Sequence, residues 1–271
     1  MSQREAATVQ SQSGLRVAFF GGSFDPPHLG HLAVARAART ALRLDRVLFA
    51  PVGMQPLKPH GASASYEDRL AMTRLAIAGD AGFELSQADA PQPAANHTPR
   101  PDLPGVFRPN DTRALCPNYT IDTLLALRQR LAPEDALFCL LGADSFFALR
   151  QWHRAAEIPF VAHLIVAARP GQPLSGAASN SPADALPAGL KLEAAPSEPA
   201  SDTDAAVHSF ALIDAAGHRA LLWLLPGVHV EIGATEIRAC LREAQGNPAV
   251  CGNRIPAAVR AYIERHGLYR A

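Results

Sequence analysis

The sequence predicts an α/β fold, a doubly wound parallel sheet with helices on both faces, from three observations. Short β-branched or aromatic runs alternate with helical patterns along the 271 residues, as parallel strands joined by crossover helices do. The most apolar runs, ALFCLLGA and ALLWLLPGV, fall far short of the roughly 20 residues of a membrane span and read as buried strands. Two glycines follow the first strand, where open parallel sheets place a phosphate loop.

RVAFF (16–20) is the first strand. HLAVARAARTAL is a helix with Leu32, Ala35, Ala38 and Leu42 on one face, and RVLFAP (46–51) is the second strand. Ser65 and Asp68, at capping-box spacing, start a helix over SYEDRLAMTRLAI. FELS is a strand, YTIDTLLALRQRL a helix with Thr120 as N-cap, and ALFCLLGAD (136–144) a central strand running into a loop. HLIVAARP (163–170) repeats that pattern. ALLWLL and the short VHVEI are the remaining strands, and TEIRACLREAQ and PAAVRAYIERHG are closing helices, the last stopped by Gly267. Residues 88–117 and 171–209 are Pro-rich and lack sustained periodicity. They are expected to be irregular insertions in a single domain spanning 16–271, and residues 1–15 a disordered N-terminal extension.

With 48% hydrophobic residues the chain can bury a sizeable core, and its formal net charge is zero. No global basic field attracts nucleic acid or an anionic membrane, so an anion must be caught locally. The four cysteines lack metal-type spacing and MSQREAATVQSQSG lacks an apolar signal region, which predicts a reducing, cytoplasmic setting.

GGSFDPPHLGH (21–31) is the sharpest local feature. Gly21 and Gly22 let the backbone approach an anion, and the next helix offers unpaired N–H groups and a partial positive charge. His28 and His31 project to one side of the first turn, and Gly30 removes a side chain where a bulky ligand group would pass. As metal ligands the histidines would want a third ligand and i, i+4 spacing; as surface or capping residues they would need nothing further. The favoured reading makes them donors to phosphate oxygens, with charge-assisted bonds of about 1.5–3 kcal/mol each. Asp25-Pro26-Pro27 is then the rigid corner that aims them.

This stretch resembles the signature of the HxGH nucleotidyltransferase superfamily. NYTIDTL (118–124), LGADSFFALRQW (141–152), ATEIR (234–238) and IPAAVRAYIERHGLY (255–269) resemble, in that order, motifs of the bacterial nicotinate-nucleotide adenylyltransferases. The similarity runs from about residue 16 to 270 apart from the insertions. It implies a Rossmann-like sheet and transfer of the adenylyl group of ATP to nicotinate mononucleotide, giving nicotinate adenine dinucleotide and pyrophosphate in NAD biosynthesis. Mg²⁺ would ride on the ATP phosphates with no dedicated protein ligand. A homo-oligomer is left open. The alternatives are the same chemistry on nicotinamide mononucleotide or phosphopantetheine, and a nucleotide-binding module without catalysis.

By the same resemblance His28, His31, Arg238 and Lys58 are catalytic. Gly21, Gly22, Ser23, Phe24, His31, Gly142, Asp144, Arg169, Thr235 and Arg238 bind ATP, and Asn118, Tyr119, Thr120, Trp152, His153 and Lys58 bind the acceptor. Each assignment has a physical rationale and a plainer competitor. Trp152 offers an indole face to a pyridine ring, or plugs the core; His153 stands where some relatives carry tyrosine. Asn118, Tyr119 and Thr120 precede a helix and can receive a carboxylate, or simply cap it. Gly142 and Asp144 end a strand as in dinucleotide sites, or form a turn capped by Asp144 or Ser145. Lys58, one of two lysines, lies just past the second strand. Arg169 reaches adenine or phosphate, or is solvated. Relatives usually have two serines where this chain has Gly233 and Ala234, so the anion-binding role in that helix rests on Thr235 and Arg238.

Overall fold

The computed structural model describes residues 14–57, 61–93, 115–167, 182–195, 207–225, 232–244 and 251–270. In chain order the elements are β1 (Arg16–Gly22), α1 (Leu29–Ala41), β2 (Arg46–Pro51), α2 (Tyr66–Ile77), β3 (Phe83–Leu85), β4 (Gln92–Pro93), β5 (Leu115–Cys116), α3 (Thr120–Arg128) and β6 (Ala136–Gly142). They continue with α4 (Ala143–Phe147), α5 (Ile158–Val161), β7 (His163–Ala167), α6 (Pro182–Ala185), β8 (Lys191–Ala194), β9 (His208–Ile213), β10 (Arg219–Leu225), α7 (Ala234–Glu243) and α8 (Ala257–His266).

Eight strands form one sheet in the order β3-β2-β1-β6-β7-β10-β9-β8. The first six are mutually parallel, and β9 and β8 add antiparallel at one edge. From β1 the chain moves outward through β2 and β3, then returns to β6 on the other flank of β1. The strand order therefore reverses between β1 and β6, and a crevice opens there beyond the carboxyl ends of the strands.

Alternation along β1 sends its side chains into two cores. Ala18 and Phe20 join Ala35 and Ala38 of α1, Met72 of α2, Ile237 of α7 and Val259 of α8. Phe19 joins Ile121 and Leu124 of α3, Phe146 of α4 and Ile158 of α5 on the opposite face. Phe19, Phe24, Phe49 and Phe138 are among the fully buried rings, and truncating one to alanine costs about 3–5 kcal/mol.

Several local predictions hold. Leu32, Ala35, Ala38 and Leu42 are buried together, Ser65 accepts a hydrogen bond from the Asp68 amide to start α2, and Gly267, at φ 61°, closes α8. Thr120 is not the N-cap of α3. Tyr119, with extended backbone, holds that position without a side-chain cap, and Thr120 is the first helical residue. The stretches expected to be irregular contain structure. β4 and β5 pair across the first, while α6, β8 and the start of β9 fall in the second. KLEA is an outermost strand with mostly exposed side chains, so it carries no alternation to detect; its order comes from the β9 backbone. HSFALI, also unpredicted, has apolar residues on both faces and no clean period of two. Apart from Ile232, VHVEI lies outside the described residues.

A reducing setting predicts four thiols. The structure instead joins Cys240 of α7 to Cys251 across a Cα separation of 5.9 Å, with Cys116 and Cys139 free and buried. Among the described residues no helix is long and apolar enough to cross a membrane.

Candidate active site

The loop after β1 is built around Phe24. This residue has φ 46°, is 1% exposed, and sets its ring against Phe20, Phe49 and His31, the last at 4.9 Å between centroids. Expected at the ATP site, its side chain instead supports the loop from the core. Gly21 is glycine for a nearby reason: a Cβ there would stand 2.7 Å from the Phe19 ring. The carbonyl of Gly22 accepts from the Val52 amide at 2.9 Å, and the Ser23 hydroxyl bonds Gln55 Oε1 at 2.9 Å.

His28 is the N-cap of α1 and His31 its third residue. The two rings stack at 3.7 Å with 29° between their planes, and the His28 amide donates to Nδ1 of His31 at 3.2 Å. That bond occupies the Nδ1 lone pair, so the neutral ring carries its proton on Nε2. Burial, and then the neighbouring His28, hold the His31 pKa well below the ordinary value. His31 is therefore a neutral Nε2–H donor in the free protein. Stacked rings do not converge two nitrogens on one ion, and among the described residues no three His, Cys, Asp or Glu side chains could hold a metal. Gly30 serves the protein rather than a passing ligand. A Cβ there would lie 2.9 Å from His28 Nδ1, so glycine admits the imidazole.

Helix α7 meets this loop directly. Ile237 and Leu241 anchor it in the core, and Arg238 donates through Nη1 to the Asp25 carbonyl at 2.7 Å and through Nη2 to Thr235 Oγ1 at 3.2 Å. Arg69, 2% exposed, donates to the Ser23 carbonyl at 2.8 Å. The Asp25 carboxylate, 3% exposed, accepts from the Ser63 and Ala64 amides, which fastens the Asp25-Pro26-Pro27 corner to the segment before α2.

The other wall of the crevice forms around the start of α3. The Asn118 side chain accepts from the Met54 amide and donates to the Ala90 carbonyl, each at 2.9 Å, and its own amide donates to the Met54 carbonyl. Asn118 thus clamps the loop after β2 to the segment before α3 through its main chain, its side-chain oxygen and one of its two side-chain N–H donors. Tyr119 and His153 pack their rings at 4.5 Å. Trp152 is half-buried and leans on the second core, so one side of the indole belongs to the packing. Asp122 pairs with Arg154 at 3.6 Å. Gly142 ends β6, and a Cβ there would meet nothing within 4 Å; Asp144 and Ser145 beside it are exposed on α4.

Sequence reasoning missed Asp89. It is 4% exposed, accepts a short hydrogen bond from Thr123 of α3, and points its Oδ2 to within 3.7 Å of where a Gly21 side chain would begin. Burial pushes its pKa up to about 6 against the lowering effect of Thr123. It sits in an unpatterned Pro-rich stretch, and only the Thr123 hydroxyl one turn into α3 hints at a partner. Arg69 was missed because α2 has no apolar stripe to mark its buried face, which includes Arg69 and Thr73 beside Met72 and Ala76.

The structure thus gathers Gly22, Ser23, His28, His31, Thr235 and Arg238 on one wall and Tyr119, Thr120, Trp152 and His153 on the other. The loop after β2 ties them: Val52 to Gly22, Gln55 to Ser23, Gly53 to the Asp89 carbonyl, and Met54 to Asn118. Lys58 and Arg169 lie outside the described residues. A cleft of about 500 Å³ lined by Leu15, Val17, Leu48 and Leu127 contains none of these groups.

The cytidylyltransferase-like family model matches residues 19–238. A Laribacter hongkongensis protein described as "Probable nicotinate-nucleotide adenylyltransferase" is 38% identical over 94% of each chain, and one with the same description from Thermus thermophilus is 34% identical over 94% of this chain and all of its own. Among solved structures, "Plasmodium falciparum nicotinic acid mononucleotide adenylyltransferase complexed with NaAD" superposes with a TM-score of 0.59 at 14% identity, covering 94% of this chain and 97% of that one, a likeness of fold. A match over most of the chain, on a doubly wound sheet whose switch point carries the paired histidines, places this chain in the nicotinate-nucleotide adenylyltransferase family of cytidylyltransferase-like nucleotidyltransferases.

Proposed function

We propose that the protein transfers the adenylyl group of ATP to nicotinate mononucleotide, releasing pyrophosphate and forming nicotinate adenine dinucleotide. One observation carries the reading: Arg238 is bonded to the backbone of the loop that bears His28 and His31, so a fixed cation and an imidazole donor meet at the carboxyl end of β1. A polyphosphate suits that arrangement.

The acceptor's phosphate attacks the α-phosphorus in line. The new bond joins an acceptor oxygen to that phosphorus, the bond to the bridging oxygen breaks, and pyrophosphate leaves with the electron pair. A phosphate monoester has a second pKa near 6 and is already largely dianionic at neutrality, so no general base is needed. The protein's task is to position two repelling anions and offset charge on the equatorial and leaving oxygens. His31 donates through Nε2–H, Arg238 supplies charge, and Gly142 leaves space for the nucleotide. Lys58 and Arg169 are proposed as further cations, and Thr120 with the amides opening α3 as the acceptor's carboxylate site. The donor set consists of imidazoles, guanidinium and hydroxyls, which fits a Mg²⁺ held by phosphate oxygens and water. That ion would neutralise phosphate charge. A cytoplasmic location belongs to the same proposal.

The test incubates purified protein with ATP, Mg²⁺ and, separately, nicotinate mononucleotide, nicotinamide mononucleotide and phosphopantetheine, and identifies products by mass. The proposal expects nicotinate adenine dinucleotide as the dominant product. Dominance of another acceptor reassigns the substrate, and nucleotide binding without pyrophosphate release leaves a binding module.

A further inference from the structure

Tyr269 follows α8, far in sequence from the β1 loop, yet its hydroxyl donates to Asp25 Oδ1 at 2.6 Å. Its backbone is in the left-handed region at φ 63°, a conformation that costs free energy in a bulky residue and persists where the surroundings require it. Burial, and then the Asp25 charge, push its phenol pKa upward, so it stays a protonated donor.

The Asp25 carboxylate has several suitors. Oδ1 takes Tyr269 and the Ala64 amide at 3.1 Å; Oδ2 takes the Ser63 amide at 2.6 Å. Arg69 acts on the same carboxylate electrostatically. Arg238 stands close, but its Nη1 is 3.9 Å from Oδ2 and 2.7 Å from the main-chain carbonyl of Asp25. A guanidinium held by a neutral carbonyl keeps its charge for an incoming anion, whereas a close, desolvated pair with a carboxylate would spend it. The neutral donors on Asp25 decide which of these arises.

We propose that Tyr269 is a positioning residue for the triphosphate: by occupying Asp25 it keeps the ion pair between that carboxylate and Arg238 at its long separation of 3.9 Å instead of letting it close. This rests on the reading of Arg238 as a triphosphate ligand. Without the phenol hydroxyl, Oδ1 loses its shortest donor, and a buried carboxylate short of donors draws in the nearest mobile cation. Arg238, 23% exposed in its side chain, has room to move. The ligand class affected is the polyphosphate nucleotide, and the acceptor nucleotide is spared.

The experiment measures binding of a non-hydrolysable ATP analogue by calorimetry to the full chain, with melting temperatures as a control on folding. Tyr269→Phe is expected to weaken the analogue about tenfold, the loss of one charge-assisted contact, and to lower kcat as well, because Arg238 also offsets charge in the transition state, while KM for the acceptor changes less than about twofold. Adding Tyr269→Phe to Arg238→Ala is expected to change nothing further. Asp25→Asn is expected to restore affinity to the Tyr269→Phe protein, because no charge remains to capture the guanidinium. Normal analogue affinity in a folded Tyr269→Phe protein, losses that add in the Arg238→Ala background, or failure of the Asp25→Asn rescue each overturn the proposal. If Tyr269→Phe alone does not fold, Asp25→Asn is compared with and without it; equal affinities support the proposal and a tenfold gap overturns it. Failure of the wild type to bind the analogue removes the functional reading and this inference together, whereas a binding wild type with additive variants removes this inference alone.

Discussion

The two walls of the crevice are made differently. The wall at β1 and α1 is one continuous stretch from Gly21 to His31, braced by Arg238 from α7. The wall at α3 is assembled from Asp89, the Asn118 to Thr123 segment and the Trp152–His153 corner, which the chain brings together from three places. Burial shifts an ionisable group toward its neutral form on each wall: His31 is neutral on the first, and Asp89 on the second has its pKa raised to about 6. The first also presents a cation fixed to its backbone, Arg238. Under the proposed function, the first wall receives the polyphosphate, and the second the pyridine ring and its carboxylate.

The largest effect tests the first wall. His31→Ala is expected to lower kcat by at least about 10²-fold, the scale of losing one donor to developing charge, with a melting temperature near that of wild type. Retained turnover would take the imidazole out of the mechanism. Trp152→Ala probes the second wall: KM for the acceptor should rise about tenfold, as for a lost aromatic contact of 1–1.5 kcal/mol, while KM for ATP stays within about twofold. Equal changes in both would make Trp152 a core residue alone.

The contrast also sets opposite pH signs. Asp89 has its folded pKa raised to about 6, so its ionisation costs stability as pH rises from near 4 through 6, and the cost is complete above that. For a shift of about two units the cost approaches 3 kcal/mol. His31, with a lowered folded pKa, stabilises fully above about pH 6.5 and loses that contribution as pH falls below. Asp89→Asn should therefore melt higher than wild type at pH 7.5, with the gap closing toward pH 4.5. A gap independent of pH would mean that Asp89 keeps its ordinary pKa.

How much of each wall could be read in advance follows from how it is built. The first was legible because its donors lie within eleven consecutive residues and because α7 carries its arginine one turn from a recognisable start. Even there, the glycines were read as making room for ligand, when Gly21 yields to Phe19 and Gly30 to His28. Space inside a protein is contested by its own side chains, and a sequence does not say which neighbour arrives. The second wall was legible at the Asn118–Thr120 segment and at Trp152 and His153. The clamp that Asn118 forms and the burial of Asp89 were hidden, because burial of a polar residue in a loop is decided by tertiary contacts such as the Thr123 hydroxyl and carries no period. In the sheet the six parallel strands were found, and the antiparallel pair β9 and β8 was not, β8 because it is ordered through its neighbour's backbone and β9 because it has no clean period of two.

Under the proposed function, His28 and His31 are hydrogen-bond donors that position and neutralise, and the acceptor phosphate attacks directly. The measurement that tests this most directly is the stereochemical course at the α-phosphorus, using one diastereomer of ATP carrying sulfur at that position with nicotinate mononucleotide as acceptor. A single in-line displacement predicts inversion. Retention would require two displacements through an adenylylated side chain, and would make one of these groups a nucleophile.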